Sequence, residues 1–468
     1  MQNNTDLQSA ASQGGWVERA HALLGGKRYY IETYGCQMNA HDSERLAGLL
    51  QGIGMEIAAD KQDADLILLN TCCVREHAEN RVYGNLGQLA ALKREKPDLL
   101  IGVCGCMMQQ DQAAQKLLSR MRHVNLAFGT HNLHELPKLL VEATATSGGK
   151  GFARVTEDHS TIVEGIPAVR ATGVTAFTTI MYGCDNFCSY CIVPHVRGRE
   201  KSRAPEAIVA ELRELTSAGV AEITLLGQNV NSYNGEGLNF PQLLRRIAQD
   251  VPELKRLRFM TSHPKDLSDE LVAVMAGSRL VCPQIHLPVQ SGSDAILHRM
   301  NRKYTAEHYL ELLDKLRAAV PGIGITSDFI VGFPGETEED FQATLDLVER
   351  ARLNGAFTFK YSRRSGTAAA KMESQIADDI KRDRLKRLNT VQARIAAELD
   401  AAAVGTTHRV LFESVSRRRS SQISGRTGSG RMVSVDGDAS LIGQIRPVRI
   451  TRAMANTLAG EILNGVEG

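Results

Sequence analysis

This 468-residue sequence is poor in the features that mark special classes of protein. It has no apolar run of the roughly 18–20 residues that a membrane-spanning helix needs, so no membrane role is expected. Its first 27 residues lack a basic start followed by an apolar stretch, the pattern of a secretory leader, and a cytoplasmic location is expected. It lacks an excess of either charge. The 55 Lys and Arg against 53 Asp and Glu leave +2, a balance that neither demands nor excludes nucleic acid. The content of 43% hydrophobic and 23% charged residues is ordinary and argues against disorder. About three domains are expected at this length, able to bury a core without disulfide or metal staples. Nine cysteines, an odd number in a chain with no export signal, argue against structural disulfides and for metal or redox chemistry.

The pattern along the chain divides it. Residues 1–27 are polar and read as a loose tail. In 28–143, short β-branched runs at 28–33, 64–69 and 99–103 alternate with amphipathic stretches such as 42–52. That alternation predicts a parallel sheet with helices on both faces, whose sites lie beyond the strands' carboxyl ends. Residues 144–172, with Ser147-Gly148-Gly149-Lys150-Gly151, read as a linker. In 173–400, strands are expected at 176–181, 222–226, 256–260, 284–287, 324–331 and 356–361, separated by helices such as 204–218, 306–319 and 338–350. Six strand–helix units predict a partial (β/α)6 barrel with its mouth at the loops after the strands. One amphipathic helix is expected at 374–403. Residues 401–465 then change to β runs at 407–412, 432–435 and 441–450, the pattern of a small β-barrel. The fold class is thus α/β, with an N-terminal parallel-sheet domain, a central partial barrel and a C-terminal β-barrel.

The cysteines fall at informative places. Cys184-x3-Cys188-x2-Cys191 follows the first strand expected for the barrel. A structural zinc site usually takes four ligands, whereas three close thiolates suit a cubane iron–sulfur cluster with one iron open to a small molecule. Zinc remains the alternative. Cys36, Cys72 and Cys106 lie at three separate strand ends. They are either buried small side chains or, because they converge on one sheet edge, the ligands of a second cluster. Cys73 and Cys104 neighbour two of them and are read as bystanders; Cys282 is read as core. Residues 401–468 hold nine Arg and five Asp or Glu, including Arg417, Arg418, Arg419, Arg426 and Arg431, an electrostatic footprint suited to RNA.

The Cys184/Cys188/Cys191 triplet on the first strand of a partial barrel resembles the radical S-adenosylmethionine enzymes. Nearly the whole chain, from about 28 to 463, resembles one subfamily, the methylthiotransferases. The resemblance rests on Tyr34-Gly35-Cys36-Gln37-Met38-Asn39, Asn70-Thr71-Cys72, Gly105-Cys106, the stretch 258–264, the stretch 286–293 and the stretch 328–337 reading DFIVGFPGET. The last region resembles the TRAM domain, an RNA-binding β-barrel. The Gln-Met-Asn after Cys36 looks like the branch that acts on tRNA N6-isopentenyladenosine, rather than on N6-threonylcarbamoyladenosine or a ribosomal protein aspartate.

That resemblance implies two 4Fe–4S clusters, one on Cys184, Cys188 and Cys191 and one on Cys36, Cys72 and Cys106, facing one another across the barrel mouth. It implies S-adenosylmethionine used twice, once as methyl donor and once as the source of a radical that removes hydrogen from carbon 2 of the adenine. By the same resemblance Gly227 and Gln228, Gln290 and Ser291, and Gly332 and Glu336 bind S-adenosylmethionine; turn chemistry would use the same residue types. Arg197 and Arg203 are candidates for its carboxylate or for a phosphate, or are solvated surface arginines. His195, His263 and His286 are read as packing or hydrogen-bonding residues, because a radical step needs no base there. The implied partners are the tRNA anticodon loop with its isopentenylated adenosine 37, an electron donor such as flavodoxin, and iron–sulfur assembly proteins, with the chain itself a monomer. The alternative of another class is an iron–sulfur or zinc-stabilised RNA-binding protein without catalysis.

Overall fold

A computed structural model describes residues 15–73, 76–110, 112–146, 151–156, 162–169, 173–416, 419, 421–455 and 457–463. The chain forms two compact units. The first comprises Met1–Ala171 and Ile192–Glu200, the second Thr172–Cys191 and Lys201–Gly468.

Unit 1 is built on six parallel strands: β1 (Arg28–Thr33), β2 (Glu56–Ile57), β3 (Leu66–Thr71), β4 (Leu100–Gly105), β5 (Leu126–Phe128) and β6 (Phe152–Arg154). They lie in the order β2-β1-β3-β4-β5-β6. The near-continuous apolar run of β3 is buried at every position, as a strand covered on both faces must be. Ile67, Leu69, Ile101 and Val103 form one apolar layer, and Leu66, Leu68, Leu126 and Phe128 form the other with Leu46 and Leu50. Strand order reverses between β1 and β3. Such a switch point opens a crevice beyond the strand ends, where open α/β sheets bind ligands.

Two readings of this region need correction. The expected loose tail holds a helix over 15–24, with Ala20 and Leu24 buried against the sheet's apolar layer. The expected linker supplies β6, the edge strand paired with β5. In addition, the helix after β1 begins five residues earlier than its apolar periodicity suggests, at Gln37–Gly52, with Cys36 as its N-cap.

Unit 2 carries β7 (Thr175–Thr179), the short pair β8 (Met181–Tyr182) and β9 (Lys201–Ser202), β10 (Glu222–Leu226), the small hairpin β11 (Asn234–Gly235) and β12 (Leu238–Asn239), β13 (Arg256–Phe259), β14 (Gln284–His286), β15 (Gly324–Val331) and β16 (Gly355–Lys360). Parallel sheets β13-β10-β7 and β14-β15-β16 are joined by the bridge Leu257–Val281, giving the partial six-stranded barrel. The first expected strand breaks at Ile180 into β7 and β8. Helix Asp378–Ala402 follows β16, and β17 (Thr407–Val415), β18 (Gln422–Thr427), β19 (Met432–Asp436), β20 (Ile445–Ala453) and β21 (Leu458–Ile462) close a barrel in the order β17-β18-β19-β21-β20. The run expected at 441–450 starts later, because Asp438 caps a single turn at Ala439–Leu441.

Two buried arginines on β13 bind the small barrel to the large one. Arg256 donates to the carbonyls of Arg426 and Arg409, both at 2.7 Å. Arg258 donates to the carbonyls of Thr427 at 2.7 Å and Gly428 at 2.8 Å. Glu222, 2% exposed, supplies the counter-charge, 2.8 Å from Arg258 and 3.8 Å from Arg256.

Two candidate metal centres

In unit 1 the three predicted thiols stand at the switch point and beside it. Cys36 follows β1, Cys72 follows β3 and Cys106 follows β4. Gly35 makes room for this arrangement. A β-carbon there would lie 2.4 Å from Cys72 Cβ and 2.7 Å from its sulfur, so only glycine lets the β1 loop close over Cys72. Gly105 has φ +95°, and its left-handed turn breaks the strand's alternation. Cys104 therefore remains in the layer with Leu68 and Phe128, while Cys106 joins Cys72 and Cys73 in the other.

Asn39 sits at the centre of this arrangement. Its Nδ2 donates to the carbonyls of Tyr34 and Thr71, each at 2.8 Å. Its Oδ1 lies 3.8 Å from Cys106 Sγ and accepts from Arg197 Nη2 at 3.0 Å. Arg197 also pairs with Asp42 at 2.8 Å, and both side chains are buried. Arg197 is thus held by unit 1 through Asp42 and Asn39. Nothing local in the sequence signals that pairing, since Asp42 lies 155 residues away.

The thiols differ in ionisation. Cys106 is drawn down to about 6, chiefly by a hydrogen bond from the Cys73 thiol, with burial opposing and the Arg197 charge assisting. Cys73 rises well above the ordinary thiol value because it gives that bond and is buried; Cys104 rises through burial. A thiolate is the metal-binding form, so Cys106 is better suited to ligation than its two neighbours.

In unit 2, Cys184, Cys188 and Cys191 share the loop after β8. Neighbouring elements pin it. Ser189 N–H donates to Met300 O at 3.0 Å and Ser189 Oγ to Arg299 O at 2.8 Å. Asn301 donates to Phe187 O at 3.0 Å. Arg302, 7% exposed, lies 3.6 Å from Cys188 Sγ and donates to Pro288 O at 2.7 Å. A fixed loop with three thiols in eight residues and a buried guanidinium on one of them fits an anionic cluster. Among the described residues no three His, Cys, Asp or Glu stand close enough to hold a single metal ion.

The loops expected to meet S-adenosylmethionine divide by structure. Gly227 packs against Met181, leaving no space for a side chain. Next to it Gln228 Oε1, Asn229 Oδ1 and, after β13, Ser262 Oγ are buried with no hydrogen-bond partner among the described residues. Buried polar groups are ordinarily paired, so these atoms suit a polar ligand at the mouth. Gln290, at φ +78°, bridges to β15 by backbone bonds to Asp328 and Ile330. Ser291 is held by Thr344 at 3.3 Å and by Ser293 N–H at 3.2 Å. Glu336 accepts from Gly332 N–H and from Arg384, both at 2.8 Å, which locks its loop. Arg203 is tied to Glu211 at 2.7 Å and to Thr179 O at 2.6 Å.

Of the histidines, His195 is exposed and His286 bonds Thr326 at 2.9 Å. His263 is pushed down to about 2 by burial and by the charges of Arg302 and Lys265, so it is a neutral packing group against Tyr304. In the C-terminal barrel Arg417 and Arg418 lie outside the described residues, while Arg419 is exposed. Arg426 faces Glu413 at 3.6 Å. Arg431 departs from the expected patch, because it is largely buried, paired with Asp400 at 3.1 Å and bonded to Leu399 O. Arg449 and Arg452 on β20 are also exposed.

A partial parallel barrel whose first strand leads into a Cys-x3-Cys-x2-Cys loop defines a radical S-adenosylmethionine protein. The model of the radical SAM superfamily matches residues 178–348, that of uncharacterized protein family UPF0004 residues 28–129, and that of the TRAM domain residues 401–463. The chain belongs to the family of tRNA-2-methylthio-N(6)-dimethylallyladenosine synthases. It is 50% identical to the one from Thermoanaerobacter sp. (strain X514), covering 93% of this chain and 92% of the relative. It is 51% identical to that of Syntrophomonas wolfei, over 93% and 98%, and 48% identical to that of Clostridium beijerinckii, over 98% and 99%. Among solved structures, the radical S-adenosylmethionine methyltransferase TsrM from Kitasatospora setae shares the fold, with TM-score 0.54 and 16% identity over 74% of this chain and 77% of that one. The family's chemistry uses S-adenosylmethionine and iron–sulfur clusters.

Proposed function

We propose that this chain converts N6-isopentenyladenosine at position 37 of tRNA to 2-methylthio-N6-isopentenyladenosine, using one S-adenosylmethionine as methyl donor and one as radical source. The observation that carries the reading is the pair of three-thiol sets, one beyond the parallel strands β1, β3 and β4 and one in the loop after β8, in a chain half identical to relatives of that name. Cys184, Cys188 and Cys191 hold one 4Fe–4S cluster, and Cys36, Cys72 and Cys106 hold the second. When bound, S-adenosylmethionine and the two clusters supply a carbon radical able to take hydrogen from an unactivated carbon, together with the methylthio sulfur that replaces it.

The chain's own residues bind and orient. Ser189, Asn301 and Arg302 hold the Cys184–Cys191 loop in one conformation. Gln228, Asn229 and Ser262 offer polar atoms to S-adenosylmethionine, with Gly227 allowing backbone contact. Gln290, Ser291, Gly332 and Glu336 fix the remaining mouth loops. The C-terminal barrel holds the tRNA backbone through exposed arginines, leaving the anticodon-loop base free to be splayed out. An electron donor of the flavodoxin type, iron–sulfur assembly proteins, a monomeric state and a cytoplasmic location complete the reading. Among the described residues no helix is long and apolar enough to cross a membrane.

The test is nucleoside mass spectrometry after anaerobic reconstitution with S-adenosylmethionine, a reductant and isopentenylated tRNA. The 2-methylthio nucleoside is the expected product. Formation of 5′-deoxyadenosine without it would leave the radical chemistry standing and refute the substrate.

A further inference from the structure

Unit 1 holds a buried cation beside its three thiols. Residues Ile192–Glu200 run directly on from Cys191, yet they belong to unit 1 and not to the unit that carries Cys191. Ile192 and Val196 bury in the same apolar layer as Cys72 and Cys106, and Val196 O accepts from Thr130 Oγ1 at 2.9 Å. So anchored, the segment delivers Arg197, whose side chain is 6% exposed. Its guanidinium forks onto Asn39 Oδ1 at 3.0 Å and Asp42 Oδ2 at 2.8 Å. Asn39 in turn grips the backbone at Tyr34 and Thr71, beside the first two thiols, and faces the third. A buried guanidinium is costly unless balanced, and Asp42 at 2.8 Å balances its single charge. Negative charge gathered on the three thiols therefore meets an ion pair whose guanidinium also bonds Asn39, the residue that faces Cys106.

We propose that Arg197 is a positioning residue for the cluster on Cys36, Cys72 and Cys106: its charge raises that cluster's reduction potential, and its fork holds Asn39 between the ligands. The inference rests on the assignment of that cluster to those cysteines. Net charge and hydrogen bonding near the sulfurs are the protein's means of setting such a potential. A unit charge a few ångströms away in a buried site acts through a low effective dielectric. Losing it shifts the ratio of reduced to oxidised cluster at least tenfold, which is about 59 mV for a one-electron couple.

The experiment uses the full chain with Cys184, Cys188 and Cys191 all changed to alanine, so that only the second cluster forms. After anaerobic reconstitution, iron and sulfide are counted and the potential is measured by titration followed by electron paramagnetic resonance. Arg197→Met should lower the potential by at least that amount. Arg197→Lys, which keeps the charge, should stay near the parent. Asp42→Asn, which leaves the cation unopposed, should raise it. Equal potentials in the parent, Arg197→Met and Asp42→Asn chains overturn the proposal. If Arg197→Met does not fold, Arg197→Gln, which keeps a donor for Asn39 but not the charge, decides in its place. A parent chain that keeps no iron overturns the cluster assignment itself, a failure distinct from an unshifted potential.

Discussion

Glu222 offers a quantitative test of how the two barrels of unit 2 are joined. Its carboxylate, 2% exposed, is the counter-charge to Arg258 at 2.8 Å and Arg256 at 3.8 Å. Those guanidinium groups are themselves held by four carbonyls of the C-terminal barrel. Glu222→Leu leaves two buried cations with dipoles but no opposing charge. Removing one partner of a buried pair costs about 3–5 kcal/mol. Each kcal/mol moves Tm by roughly 2–4 °C in domains of 150–250 residues, and less in larger ones. A fall of about 6–10 °C is therefore expected, measured by calorimetry on the apo chain. A Glu222→Leu chain that melts within 1 °C of the parent would refute the argument.

Further outcomes follow from the sites. Cys72→Ala or Cys106→Ala should leave S-adenosylmethionine cleavage intact and abolish methylthio insertion, whereas Cys184→Ala should abolish both; methylthio product from the Cys106→Ala chain would refute its choice over Cys104. His263, pushed down to about 2 in the fold, titrates at its ordinary value when unfolded. The unfolded chain thus binds the extra proton as pH falls below about 6.5, so stability drops by about 1.4 kcal/mol per pH unit from there. His263→Gln should remove that part of the acid sensitivity in melts between pH 6.5 and 4.5, and an unchanged slope would count against it. Arg449→Ala and Arg452→Ala should each weaken tRNA binding and lower the salt slope by about 1, with no change in Tm; filter binding across a salt series decides.

The sequence made the strand-end thiols legible because strand–helix alternation and cysteine spacing are local patterns. Cys36, Cys72 and Cys106 each sit one to three residues beyond a strand, and that position can be read without knowing the strand order. What makes those positions a crevice is the reversal between β1 and β3, a non-local property of the sheet. The Arg197–Asp42 pair was illegible for the same reason: segment 192–200 crosses to unit 1 immediately after a motif of unit 2, with no change in composition to announce it. The helix over 15–24 was missed because its few apolar residues lie in a polar background. Glu336 shows the limit of loop reading, since its partner Arg384 comes from a helix 48 residues on.

The Arg256–Arg258 clamp changes how the C-terminal barrel must be understood. Its inward side presents backbone carbonyls at 409 and 426–428 to those two arginines. Its outward strand face presents Arg449 and Arg452, which alternate or bulge away from buried Val448 and Ile450. Removing residues 401–468 would therefore do two things at once: take away a basic surface, and strip the carbonyls from two buried guanidinium groups of the larger barrel. Lost tRNA binding in such a truncation says nothing about RNA contact by itself. The two roles lie on different atoms, since carbonyls cannot be deleted by side-chain substitution and exposed arginines bear no weight in the clamp. Side-chain changes on β20 thus isolate the nucleic-acid role, and changes at Glu222 isolate the structural one.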